Sequence, residues 1–299
     1  MNNQIVITGA SSMIGEPLAD FLRRKGQSVI EISRQKSVQD ELVIPWDMQE
    51  QNIKQTLLFE QLRSEKESIL IHCAPIWLLS KHVPLLASCG VKRIIAFSSS
   101  SIEGKADSKS EGEQQIVQLL NNAEQNIQTY SRQGGIQLTI FRPTMIYGYG
   151  KGQNLAFIAK FIERFGMFPL ITKADGLRKP VHVDDLVNAA YLALNHSQSY
   201  GKIYNLSGRE SLSYEEMVNR IFQALGKKPV KPKLPLPIYR QALKVVSKSA
   251  NLVGKPVSID PSMADRMRQN LDFDNNEAIN DFNFDPSNFL PNGKQDLLE

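Results

Sequence analysis

The run Thr8-Gly9-Ala10-Ser11-Ser12-Met13-Ile14-Gly15 sets two glycines six residues apart, between a short apolar strand and a helix pattern. Small residues at a strand-to-helix turn let backbone N–H groups approach an anion, and a helix N-terminus attracts negative charge. The chemistry expected of Thr8, Gly9, Ser11, Ser12, Met13, Ile14 and Gly15 is therefore the holding of a dinucleotide pyrophosphate. Ser12 stands where a third glycine would be usual. Its hydroxyl either crowds the expected phosphate or donates a hydrogen bond to it. The next strand ends in Ser33-Arg34, with no carboxylate to grip a ribose 2′-hydroxyl. A guanidinium suits a 2′-phosphate instead, which predicts NADP(H) in preference to NAD(H). Asp47, just after Trp46, is placed to reach the adenine amino group.

The elements that must position these residues alternate. Strand patterns cover Gln4–Thr8, Ser28–Ser33, Ser68–Cys73, Arg93–Ser98 and Gln137–Ile146, and helix patterns cover Ile14–Lys25, Leu78–Ser88 and Glu111–Arg132. Such alternation predicts an α/β fold built on a doubly wound, mostly parallel sheet with helices on both faces. Beyond Tyr147-Gly148 the pattern predicts helices over Asn154–Phe165, Val183–Asn195 and Tyr214–Leu225, the last capped by Ser213. It also predicts a strand at Lys202–Leu206. A proline-spaced stretch then leads into a basic helix over Ile238–Leu252. Residues 1–150 are expected to form the dinucleotide domain. Residues 151–299 are expected to form a smaller substrate lobe, with the strand near 202–206 returning to the main sheet.

The chain has 299 residues, 41% of them hydrophobic and 22% charged, with a formal charge of +4. That composition suits a soluble protein with a sizeable core. Without a long basic run, nucleic acid is not an expected partner. The apolar residues among the cations of Arg240–Lys255 suit a lid or packing helix better than a membrane-surface segment. No apolar run reaches the roughly 18 residues a bilayer span needs, so no membrane partner is expected. Cys73 and Cys89 are too few for a metal cluster and read as free thiols of a cytoplasmic protein.

Several segments, taken in order, carry a resemblance. They are the opening turn, Ile71-His72-Cys73-Ala74, Phe97-Ser98-Ser99-Ser100, Phe141 to Gly148 (Phe-Arg-Pro-Thr-Met-Ile-Tyr-Gly), Arg178 to Leu186 (Arg-Lys-Pro-Val-His-Val-Asp-Asp-Leu), Leu271-Asp272-Phe273-Asp274, and Asp281 to Pro286. This set resembles the extended short-chain dehydrogenases, in particular the NAD-dependent epimerase/dehydratase family. The resemblance implies a Rossmann fold, a nucleotide-linked sugar as small-molecule substrate, and a homodimer formed through sheet-flanking helices. It also implies cofactor contacts from Cys73, Ala74 and Pro75 and from Arg142 and Pro143. Asn154 would add a substrate hydrogen bond and Arg178 would hold the substrate diphosphate, a task its forked guanidinium suits; a surface ion pair with Asp184 or Asp185 is the competing role for Arg178. His182 and Asp184 read as structural.

The family's chemistry needs a Ser or Thr that polarises the reacting oxygen, a Tyr that transfers its proton, and a Lys four residues later. The lysine favours the phenolate, since free tyrosine titrates near pH 10. Counting back from Gly104 selects Ser99, while counting forward from Phe97 allows Ser100. Lys109, with Glu113 four residues on, resembles the lysine. Yet Lys105 stands where the tyrosine belongs, and no tyrosine occurs between Met1 and Gln128. The Tyr147–Lys151 spacing lies in a later turn and reads as coincidence. Two functions are therefore open: an atypical NAD(P)-dependent oxidoreductase, epimerase or dehydratase, and a non-catalytic NADP(H)-binding sensor or scaffold.

Overall fold

The structure, a computed structural model, describes residues 4–34, 43–49, 52, 57–64, 67–108, 110–243 and 263–298. In chain order the first strands are β1 (Gln4–Thr8), β2 (Val29–Ser33), β3 (Val43–Pro45), β4 (Ser68–His72), β5 (Val91–Phe97) and β6 (Gln137–Pro143). Short strands follow: β7 (Ile146–Tyr147), β8 (Leu170–Ile171), β9 (Leu177–Arg178) and β10 (Val181–His182). The last are β11 (Lys202–Leu206), β12 (Leu212–Ser213) and β13 (Lys233–Leu234). The helices used below are α1 (Gly15–Arg24), α2 (Leu57–Ser64), α3 (Val83–Ser88), α4 (Ser101–Gly104), α5 (Glu111–Gln133), α6 (Gln153–Phe165), α7 (Val183–Leu194) and α8 (Tyr214–Ala224).

Contacts divide the chain into two compact units, each woven from separate stretches. The first comprises residues 1–144, 183–206 and 274–285. Its seven-stranded sheet runs β11-β6-β5-β4-β1-β2-β3, with every neighbouring pair parallel. This is the Rossmann arrangement. Ile5, Val6 and Ile7 are buried in succession, as a parallel strand covered on both faces requires. The chain reverses its winding at β1, which lies between β2 and β4. Ligands of such sheets bind beyond the strand C-termini at that switch point, where the Gly9–Gly15 turn and residues 73–75 lie.

The second unit comprises residues 145–182, 207–273 and 286–299. Its core joins Leu155, Ile158 and Ile162 of α6 to Met217, Val218 and Ile221 of α8, rows spaced three and four apart as an amphipathic helix dictates. Ser213 caps α8 by accepting from the Glu216 amide at 3.1 Å. Three two-stranded pairs, β7 with β10, β9 with β12 and β8 with β13, surround that core.

A single cut after residue 150 differs from this division, because α7 and β11 belong with the main sheet. The expected helix over 78–88 is two turns of 3₁₀ helix, Ile76–Leu78 and Ser80–His82, followed by α3. Pro84, at the second position of α3, has no amide to donate to the Ser80 carbonyl, which interrupts a continuous α-helix through it. The expected strand over 137–146 stops at Pro143, and Ile146 pairs with Val181 instead. Of the basic helix expected over 238–252, residues 244–252 lie outside the described residues.

Candidate functional site

In the first unit the turn after β1 is pressed against the loop after β4. Gly9 has φ +75°, and a Cβ there would lie 2.5 Å from the Ala74 amide nitrogen and 2.8 Å from the Cys73 carbonyl carbon. A Cβ on Gly15 would lie 2.2 Å from the Gly9 carbonyl oxygen. Only glycine meets both demands. A buried pair fastens the same two segments: Thr8 Oγ1 lies 2.7 Å from His72 Nδ1, and His72 Nε2 lies 3.2 Å from the Pro75 carbonyl. Since a carbonyl only accepts, Nε2 carries the proton and Thr8 donates to Nδ1.

Burial drives the His72 pKa down to about 4; the Pro75 hydrogen bond opposes this and His82 adds a smaller lowering. The imidazole is neutral at pH 7. Between about pH 6.5 and pH 4 the unfolded chain takes up a proton that the folded chain refuses. Stability contributed by neutral His72 is therefore full above that window and falls as pH drops through it, by about 3 kcal/mol in all. Denaturation of His72→Gln against the parent across pH 4–7 should show a correspondingly flatter profile for the variant; parallel profiles would reject the assignment.

Ser12 is partly buried in the turn. Its Oγ accepts from the Gly15 amide at 3.0 Å, and its own amide donates to the Gly9 carbonyl at 2.9 Å. The hydroxyl thus accepts from the first amide of α1 and retains its own proton as a donor. Exposed Ser11 accepts from Ser33 Oγ at 3.3 Å, which ties the ends of β1 and β2 together. Met13 is partly buried and Ile14 fully so, while Arg34 is exposed just past β2. Asp47 accepts from the Gln49 amide at 2.9 Å. Burial pushes the Cys73 thiol well up, so it is neutral at physiological pH and no nucleophile. A glycine-tight turn leading into a helix at the switch point, with a serine hydroxyl in it, fits a dinucleotide pyrophosphate.

The serine run caps a short turn. Ser99 Oγ accepts from the Ser101 amide at 3.1 Å. Ser100 is buried, its amide donating to the Pro143 carbonyl at 3.1 Å and its carbonyl accepting from Gly104 at 2.9 Å. Ser99 is the less buried of the two. Arg142 is committed to carboxylates rather than turned to a cofactor. Its Nε lies 3.1 and 3.2 Å from the Glu124 oxygens, and one Nη donates to Glu124 at 2.6 Å. The other Nη donates to Glu103 at 2.9 Å. Ser98 Oγ donates to Glu124 at 2.5 Å, and Asn205 Nδ2 donates to Glu103 at 3.2 Å. Sequence reasoning passed over this network. Its signal was a glutamate on the buried row of α5, in step with Leu120, Ile127 and Ser131.

Lys109 lies outside the described residues. Glu113, four positions on, accepts from Lys105 at 3.2 Å and Ser108 Oγ at 2.6 Å. The turn of α5 that meets a β5-end serine is thus the one carrying Glu124. One and two turns earlier on that face stand Leu120 and Val117, neither able to move a proton.

In the second unit Arg178 is buried, its guanidinium donating to the carbonyls of Leu177 at 2.7 Å, Gln269 at 2.6 Å and Arg266. It also lies 5.6 Å from the Tyr214 ring centroid. Burial lowers its pKa, against Tyr214 and Asp272. With three of its five N–H donors on carbonyls and the side chain buried, this geometry supports bracing of the 266–269 segment rather than diphosphate recognition or a surface ion pair. Asn154 is exposed in the first turn of α6. Tyr147 is buried and its oxygen accepts from the Leu290 amide at 3.0 Å, between the rings of His182 and Phe289. The Tyr147–Lys151 spacing is accordingly structural. His182 Nε2 lies 3.1 Å from the Asp296 carboxylate. Burial raises the Asp296 pKa, but hydrogen bonds from His182 and Asn292 together bring it below the ordinary value.

Residues 81–207 match the family model described as "NAD dependent epimerase/dehydratase family". The chain is 21% identical to UDP-glucose 4-epimerase of Vibrio cholerae over 281 residues, covering 83% of this chain and 84% of that one. Over 103 residues, 34% of this chain and 25% of the other, it is 30% identical to the mitochondrial NADH dehydrogenase [ubiquinone] 1 alpha subcomplex subunit 9 of Arabidopsis thaliana. In fold it is similar to UDP-glucuronic acid 4-epimerase from Bacillus cereus, crystallised with UDP-glucuronic acid and NAD. That match has a TM-score of 0.71 at 17% identity and covers 98% of this chain and 97% of the other.

Proposed function

We propose that the chain, whose residues 81–207 match the model of the NAD-dependent epimerase/dehydratase family, binds a nicotinamide dinucleotide and acts on a nucleotide-linked sugar. The observation that carries this reading is the packing of Gly9, Gly15 and Ala74, which sets the N-terminus of α1 at the sheet's switch point. The dinucleotide, when bound, supplies a hydride acceptor and donor. Around it the Ser12 hydroxyl and the Met13 and Ile14 amides of the turn before α1 would hold the pyrophosphate, and Ser99 would polarise the reacting oxygen. In the second unit exposed Asn154 hydrogen-bonds the substrate. Missing the tyrosine lowers turnover by about 10²–10⁴-fold relative to a complete site.

Arg34 makes NADP(H) the preferred form. Parallel fluorescence titrations with NADPH and NADH test both statements. Saturable binding with NADPH tighter is expected, and Arg34→Ala should erase the preference by weakening NADPH about tenfold or more while leaving NADH unchanged. Equal or tighter NADH binding would reject the Arg34 role; no binding of either would reject the cofactor site. Dimerisation through sheet-flanking helices is checked by light scattering.

One feature favours a second reading, a non-catalytic NADP(H)-binding sensor or scaffold: Leu120 and Val117 occupy the α5 face next to Glu124. Saturable cofactor binding, with no conversion of UDP- or dTDP-sugars at high enzyme concentration, would select it.

A further inference from the structure

We propose that α6 and the strand segment beside it form a docking face for anionic phospholipid bilayers. Phe157, Phe161 and Phe165 recur every fourth residue of α6 and so share one face. Phe157 is 40% exposed, Phe165 53% and Met167 38%. Val230, 49% exposed, stands on the adjoining segment, its carbonyl accepting from the Phe168 amide at 2.9 Å. Contiguous apolar surface of this kind marks an interaction site rather than scattered exposure.

Charge selects the occupant. Lys160 and Arg164 are exposed on α6, and the Arg164 guanidinium lies 5.4 Å from the Phe165 ring centroid. The one acidic residue of α6, Glu163, is matched by Lys227 at 3.2 Å and Lys294 at 3.1 Å. The imbalance extends to the whole unit. Its stretches 145–182, 207–273 and 286–299 hold nineteen lysines and arginines against ten aspartates and glutamates, a formal +9. The other unit holds sixteen against twenty-one, a formal −5. Aromatic and aliphatic side chains beside lysine and arginine on a short helix suit the boundary between headgroups and acyl chains of an anionic leaflet.

Single-stranded nucleic acid, which also seeks aromatic and basic residues, suits the face less well. Its bases stack on open ring faces, whereas Phe161 already packs on Phe165 at 4.6 Å, on Phe168 at 5.6 Å and on Phe157 at 6.2 Å. Met167 and Val230 offer bases nothing to stack on. The expectation of no membrane partner rested on the lack of a span. Among the described residues no helix is long and apolar enough to cross a membrane, and surface docking requires none.

The test is co-sedimentation of the full chain with vesicles of phosphatidylcholine alone or mixed with phosphatidylglycerol. Pelleting with the anionic vesicles is expected, weakened about tenfold or more by half-molar salt. Lys160→Glu with Arg164→Glu should lower the partition coefficient about tenfold or more, and Phe165→Ser with Met167→Ser should do likewise. Both pairs are exposed, and circular dichroism confirms folding. No pelleting, or equal pelleting with neutral vesicles, overturns the proposal. So does a dimer that dissociates in the Phe165→Ser/Met167→Ser variant, which makes the face a contact between copies. Tighter capture by poly(U) than by vesicles overturns it in favour of nucleic acid.

Discussion

Replacing Arg142 by leucine should cost the folded protein about 3–5 kcal/mol. The Glu124 side chain is 3% exposed and that of Arg142 18%, so the pair is largely out of water. Its attraction is strong there, and so is the penalty for an unmatched charge. Without the guanidinium, Glu124 would keep only the Ser98 hydroxyl among the partners described above, a neutral donor that cannot offset a buried carboxylate. Arg142→Lys keeps the charge but not the fork, and should recover part of the loss. Urea unfolding measures both. A change below 1 kcal/mol for Arg142→Leu would mean that water reaches Glu124 and the network is a surface feature. The same variant separates two roles: if Arg142 only anchors α5 to β6, NADPH affinity per folded molecule should stay within threefold.

The second large effect is expected at Gly9. Gly9→Ala sets a side chain in left-handed backbone, at about 1–2 kcal/mol, and drives its Cβ into the backbone at Cys73 and Ala74. That loop cannot retreat cheaply, because Thr8, His72 and Pro75 fasten it. Overpacking of this kind adds about 1–3 kcal/mol. NADPH affinity should fall at least tenfold, since relief of the clash moves the turn proposed to hold the pyrophosphate. Gly26→Ala is the control: φ is +76° there, but nothing lies within 4 Å of the added carbon. It should show the strain without the clash, and unchanged affinity. Equal losses at the two sites would refute the close-approach argument.

The sheet was legible because its strands are buried on both faces. Gln4–Thr8 and Lys202–Leu206 read as strands with the bounds they have. The Ser213 cap was equally legible, since a capping serine acts on its own helix within four residues. Partnerships across long separations were not. Arg178 meets Gln269 ninety-one positions away, and Arg142 meets Glu103 at thirty-nine. A sequence motif shows an arginine but not its acceptor, so both were read by family resemblance as ligand groups. Glu124 was missed for a related reason: spacing alone cannot say which glutamate of a 23-residue helix meets Arg142.

The interleaving of the two units also dictates an order of events at the ribosome. β6 ends at Pro143, and its outer neighbour β11 begins only at Lys202. At ordinary synthesis rates of about 5–20 residues per second, the outer edge of β6 stays bare for roughly 3–12 s while the intervening residues emerge. An apolar parallel edge held open that long invites pairing with another nascent chain. The helix Asn276–Phe282, which lays Phe282 against Phe141 and Tyr204, arrives later still. Yield in a heterologous host should therefore respond to elongation speed across residues 144–202 more than to changes elsewhere in the gene.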